Sequence, residues 1–99
     1  MQYIWKTTAG AEVKADITVE RFGGKTTYPD GSEAHFYRWA RTISDMTVNG
    51  QPIENPTFTK VNGADAICVG RVEQTMAFVL IPDEIAEELF GEERRANQN

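Results

Sequence analysis

Cysteine and histidine are nearly absent: one of each, Cys68 and His35, in 99 residues. A lone cysteine rules out an internal disulfide framework, and one Cys with one His cannot complete a structural zinc site. Nothing therefore points to an oxidising compartment. Long apolar runs are missing too, since no window of 18 apolar residues occurs, which excludes a membrane-spanning helix. The opening MQYIWKTTAG lacks the apolar h-region of a signal peptide, so the expected setting is the cytoplasm. Bases are in the minority, ten against fifteen acids, whereas phosphate binding normally shows as a basic surface. Nucleic acid is not an expected partner.

What is present fits one small domain: 11.1 kDa, 40% apolar and 25% charged. A chain of this size buries roughly 65% of its unfolded surface, enough for one core. The charge is segregated. Residues 1–60 carry seven bases and seven acids, while residues 61–99 carry three bases and eight acids, the whole net charge of −5. Six of those eight acids lie between Asp83 and Glu93.

The first clear element is a strand over Glu12–Arg21, where Val13, Ala15, Ile17 and Val19 alternate with Lys14, Asp16, Thr18 and Glu20. Tyr3–Thr7 reads as its hairpin partner, across a turn at Thr8–Ala11. Phe22-Gly23-Gly24-Lys25 reads as the strand's end, and Tyr28-Pro29-Asp30-Gly31-Ser32 as a further turn. Residues 33–48 fit two patterns. Asp30 and Glu33 could form a capping box before a helical stripe of Phe36, Trp39/Ala40 and Ile43. The density of aromatic and β-branched residues favours a strand instead.

Asn49-Gly50 is a type I′ hairpin signal, and Asn62-Gly63 marks another turn after a short strand over Phe58–Val61. Pro52 and Pro56 allow only brief pairing between those turns. Ala66–Val72 and Met76–Ile81 read as a buried central hairpin. Pro82 then opens a helix with Ile85, Ala86, Leu89 and Phe90 on one arc and Asp83, Glu84, Glu87 and Glu88 on the opposite one. Gly91 reads as the stop, because continuation would carry Glu93 onto the apolar arc. The expected fold class is α+β: an antiparallel sheet of five or six strands under one C-terminal amphipathic helix. The domain is expected over 1–91, with 92–99 a flexible tail.

Catalytic signatures are weak. Gly24-Lys25-Thr26 lacks the upstream glycine of a phosphate-binding loop, that position being Val19 in a strand. Asp30, Ser32 and His35 could form an acid–serine–histidine set, but no Gly-x-Ser-x-Gly elbow surrounds the serine. Cys68, between Ile67 and Val69, reads as core. No calcium loop and no cofactor loop are present, so neither metal nor cofactor is expected.

Two surfaces carry the functional expectations. The acidic helix face of Asp83, Glu84, Glu87 and Glu88 is suited to docking a basic partner surface. The segment His35-Phe36-Tyr37-Arg38-Trp39-Ala40-Arg41 interleaves aromatics with arginines, residue types that anchor protein interfaces. It could equally stack on a small anionic ligand. As a strand it sets His35, Tyr37, Trp39 and Arg41 on one face and Phe36, Arg38 and Ala40 on the other.

The ending Val79–Arg95 together with Met46–Gly50 resembles small proteins that accompany bacterial mobile elements and prophages. That resemblance implies an accessory or inhibitory binding role and transfers no site residue. The expectation is a non-enzymatic, homodimeric interaction protein that docks a basic protein partner through the acidic helix. The alternative is a binder of an anionic ligand such as a nucleotide, through Tyr37, Arg38, Trp39 and Arg41.

Overall fold

The chain, seen in a computed structural model, is described over residues 1–96, the side chain of Val72 excepted. Seven strands and one helix follow in order: β1 (Gln2–Lys6), β2 (Glu12–Thr27), β3 (Glu33–Val48), β4 (Gln51–Pro52), β5 (Thr57–Val61), β6 (Ala64–Val72), β7 (Thr75–Leu80) and α1 (Asp83–Ala96). The α+β class is as expected, but the strands divide into two antiparallel sheets, β1-β2-β3-β4 and β5-β6-β7. The division falls at the prolines. Pro52 and Pro56 cannot donate to a ladder, so β4 stops after two residues and β5 begins a new sheet.

Turn chemistry sets the registers. Asn49 and Gly50 both take positive φ (51° and 78°), as do Asn62 and Gly63 (51° and 82°), the backbone that type I′ turns require. Asn49 also ties its turn to the start of β2, since its Oδ1 accepts from the Glu12 N–H at 2.8 Å. At the β2–β3 tip, Gly31 N–H donates to the Tyr28 carbonyl and Tyr28 N–H to the Ser32 carbonyl. Gly31 at φ 89° supplies the left-handed position of that three-residue loop.

Residues 33–48 are strand throughout, which resolves the two readings in favour of the aromatic and β-branched pattern. Phe22-Gly23-Gly24-Lys25 does not end β2, which continues to Thr27 paired with Glu33. Near the root of this hairpin, Lys14 faces Thr47 but Asp16 faces Ser44, so Asp45 and Met46 together oppose Ala15. Asp45 at φ 51° absorbs the extra residue as a β-bulge, and Met46 is turned into the core.

The core lies between the two sheets and the helix. The first sheet contributes Trp5, Val13, Ala15, Ile17 and Met46; the second Ile67 and Val79; the helix Ala86, Leu89 and Phe90. Trp5 Nε1–H donates to the Leu80 carbonyl at 3.1 Å, a polar link between sheets that share no ladder. The β6–β7 hairpin is buried through β6, but β7 is an edge: Val79 points inward while Phe78 and Leu80 face solvent. Cys68 is buried, as its neighbours implied.

The helix runs through Gly91 to Ala96 instead of stopping, so 92–96 are not tail; residues 97–99 lie outside the described residues. The residue that seemed to forbid continuation is accommodated by a partner from the sheet. Arg41 reaches Glu93 Oε2 from Nε and Nη2 at 3.1 and 2.6 Å. Arg94 and Arg95 in the last turn complement the negative end of the macrodipole.

Phe90, 1% exposed, sits at the junction, edge-on to Phe58 at 5.6 Å and beneath the guanidinium of Arg41 at 4.3 Å. Phe90→Ala is expected to lose about 3–5 kcal/mol of stability, the usual cost of deleting a buried aromatic. Chemical denaturation measures it.

Candidate functional site

The radius of gyration is 16.9 Å and the longest dimension 57 Å, whereas a compact chain of this length has a radius near 13 Å. The excess comes from the β2–β3 hairpin. β1 leaves β2 at Ile17, whose N–H donates to the Met1 carbonyl, and β4 leaves β3 at Met46, whose carbonyl accepts from Ile53. From there to the tip, β2 and β3 pair only with each other. They form a two-stranded arm with two open edges.

Alternation gives the arm two different faces. On the face continuous with the core, Val19, Arg21, Gly23 and Lys25 oppose Arg41, Trp39, Tyr37 and His35. On the other, Glu20, Phe22, Gly24 and Thr26 oppose Ala40, Arg38, Phe36 and Ala34. Each glycine faces an aromatic ring. A Cβ on Gly24 would stand 2.5 Å from Phe36 Cζ, and one on Gly23 would meet the Tyr37 ring at 3.7 Å. Gly24 therefore sits mid-strand because a ring lies across it, as when an aromatic covers a glycine left bare in a sheet, whereas the Tyr37 ring is only in ordinary contact distance of Gly23. Arg21 stacks on the Tyr37 ring from the same face, 4.9 Å from its centroid.

Much of this aromatic surface remains in water: Phe22 is 51% exposed, Phe36 49% and Tyr37 64%. The structure thus splits the segment named from sequence. His35, Tyr37, Trp39 and Arg41 share the core-side face, and Arg38 stands with Phe22 and Phe36 on the other. It does not gather Tyr37, Arg38, Trp39 and Arg41 around one point. Arg41 is moreover engaged by Glu93, and Trp39 lines a cleft of about 250 Å³ with Tyr3, Glu88 and Glu92 at the root of the arm. Arg21 and Phe22 belong to this surface and were missed. The signal was available in Phe22-Gly23-Gly24, which reads as a break only if no aromatic strand lies opposite.

The acidic helix face is exposed at Asp83, Glu84, Glu87 and Glu88. Several helix carboxylates meet partners within the chain: Glu87 pairs with Arg95 at 2.6 Å, Glu92 with Arg21 at 3.5 Å and Glu93 with Arg41. Glu88 Oε1 accepts from the Tyr3 hydroxyl at 3.3 Å. Asp65, outside the helix, pairs with Arg94 at 2.5 Å. Among the described residues, Asp83 and Glu84 have no ion-pair partner.

Asp30, Ser32 and His35 do not assemble into a relay. The Ser32 hydroxyl donates to Asp30 Oδ1 at 2.5 Å within the tip turn, and His35 Nε2 lies 4.0 Å from Glu33. That turn holds the Asp30 carboxyl below its ordinary range, first through the Ser32 hydroxyl and then through the Ser32 backbone N–H. Among the described residues no cluster of three or more His, Cys, Asp or Glu side chains is arranged to hold a metal ion. A concavity of about 640 Å³ between the β1–β2 turn and β7 is walled by Thr7, Ala11, Phe78, Leu80 and Pro82, with Lys6 and Asp83 its charged members.

No protein-family model, curated protein or solved structure matches the chain. The site is therefore read from its own geometry.

Two outcomes are expected. In the proton spectrum the Gly24 Hα signals should lie upfield, under the Phe36 ring, and return to ordinary positions in Phe36→Ala. The Tyr3 hydroxyl is held above its usual titration range, first by burial, then by the Glu88 charge and its hydrogen bond. Its raised folded value means that the stabilisation is complete below the unfolded pKa of tyrosine and is lost as pH rises through the folded one. Alkaline melting should accordingly be shallower in Tyr3→Phe than in the parent.

Proposed function

We propose that the protein is a non-enzymatic interaction module whose docking element is the β2–β3 arm. The observation that carries this reading is the arm's incompleteness. A lone two-stranded ribbon is at best marginally stable in water, and this one leaves Phe22 and Phe36 about half exposed and Tyr37 more so along open backbone edges. Aromatic and arginine side chains beside unpaired main-chain donors are the materials of strand-addition interfaces, in which the ladder gives affinity and the side chains give selectivity. An accessory or inhibitory role beside a larger partner is compatible with that reading.

The acidic helix face is a second, lesser contact. The unpartnered Asp83 and Glu84 favour it, and they would meet basic groups on the partner surface. Its remaining carboxylates are largely answered within the chain, which is why the arm takes precedence.

A photo-crosslinking residue in place of Tyr37, on the arm, should give adducts in cells of native type. The same residue at Glu84, on the helix, should give fewer. Adducts at neither position would overturn the reading, and adducts at Glu84 alone would transfer docking to the helix. With the arm as the primary contact, Phe22→Ser combined with Phe36→Ser should abolish capture at position 37 while the circular dichroism of the body persists.

A further inference from the structure

The open edge of β3 is complementary to itself. Tyr28 N–H donates to the Ser32 carbonyl, and this fixes the phase of the ladder behind it. Hydrogen-bonded pairs fall at Thr26/Ala34, Gly24/Phe36, Phe22/Arg38 and Glu20/Ala40. The backbone N–H and C=O groups of Glu33, His35, Tyr37, Trp39 and Arg41 consequently point away from β2, to the edge that β4 leaves uncovered. Five consecutive donor–acceptor sets are thus presented along one line.

When an antiparallel strand pairs with its own copy about a two-fold axis, opposed residues share a face, so both numbers must be odd or both even. On β2 between Val19 and Thr27 the only charges are Glu20, Arg21 and Lys25. Glu20 is even and the two bases odd, so no symmetric register can set acid against base there. On β3, Glu33 and Arg41 are both odd. With the axis at Tyr37, Glu33 of each copy faces Arg41 of the other, His35 faces Trp39 and Tyr37 faces Tyr37. On the opposite face Phe36 meets Arg38 and Ala34 meets Ala40. Every charged position then has an opposite charge or an aromatic ring across from it. Moving the axis to Arg38 sets that arginine against itself, and moving it to Phe36 sets Glu33 against Trp39.

We infer that two copies of this chain join through their β3 edges about an axis at Tyr37, uniting two arms into one four-stranded antiparallel sheet. The inference rests on the arm being the docking element and names a second copy as its occupant. Arg41 has capacity for the added contact: Nε and Nη2 serve Glu93, and among the described residues Nη1 makes no hydrogen bond. Among the described residues, Glu33 is held only by exposed Lys25 at 3.2 Å and by His35 at 4.0 Å. Pairing covers the exposed edge and part of the aromatic surface at once, which meets the need of a ribbon too thin to stand alone.

Sedimentation of the purified full chain is expected to give twice the chain mass. Residues at the axis form a hydrogen-bonded pair with Cα atoms about 5.5 Å apart, inside the range of about 4.4–6.8 Å that a disulfide spans. Tyr37→Cys should therefore crosslink copy to copy on mild oxidation. His35→Cys and Trp39→Cys should not, because each would lie about 14 Å from its own counterpart. Native Cys68 is buried and does not compete. Glu33→Arg, which sets arginine against Arg41, should raise the dimer dissociation constant about tenfold. Lys25→Gln breaks the same Lys25–Glu33 pair without altering the edge and should leave the constant unchanged.

A single-chain mass at all concentrations would overturn the inference. So would a dimer in which Tyr37→Cys fails to crosslink while His35→Cys or Trp39→Cys succeeds, or one indifferent to Glu33→Arg. If the chain is monomeric yet position 37 captures another protein in cells, the arm keeps its docking role and the second copy is excluded as occupant. No adduct at position 37 from either source removes both.

Discussion

Phe90 is the contact on which the rest of the molecule depends. The two sheets share no hydrogen-bonded ladder, so their relative position rests on side chains and on the helix laid against both. Phe90 meets Phe58 of the second sheet edge-on while Arg41 of the first lies over its ring. Arg94, one turn on, also approaches the ring at 5.3 Å and binds Asp65 of the second sheet. A single buried ring thereby gathers one arginine from the arm's root and one from the helix. Each guanidinium holds a carboxylate on a neighbouring element, which places the charges around an apolar centre without burying an unpaired one. Of the six acids concentrated between Asp83 and Glu93, two, Glu92 and Glu93, are the counterparts of Arg21 and Arg41 on the sheet.

How far the sequence reveals this arrangement differs element by element. The alternation over Glu12–Arg21 and the two Asn-Gly turns are local signals, and the structure follows them because period-two burial and positive φ leave few other solutions. Gly24 and Gly91 were misread for a shared reason: each is explained by a residue far away or a turn away. Gly24 is determined by the Phe36 ring across the ladder. Gly91 remains helical beneath Glu87 and Arg95, whose ion pair passes over it, so its small size is a matter of packing and not of chain reversal. The partition into two sheets was likewise hidden, since strand pairing is a relation between segments that no single window displays.

The candidate surface was legible in composition and only half legible in geometry. His35 to Arg41 stand out as aromatics interleaved with arginines, and alternation correctly divides them between faces. Their neighbours Arg21, Phe22 and the two glycines could be found only through the register that the tip turn imposes. Arg41 proved to serve the core as well as the arm, so the same residue links the stability of the body to the orientation of its projection.

The arm emerges from the body beyond a β-bulge at Asp45 and returns through a tight tip turn. Its two faces are kept distinct by strict alternation, so insertions or deletions in related chains should occur as two residues in β2 matched by two in β3. A single-residue change in each strand at the root would turn Phe22 and Phe36 to the core-side face and Tyr37 to the other, reversing the surface. Arm length is therefore free to vary among descendants in even steps, independently of a core that ends near Val19.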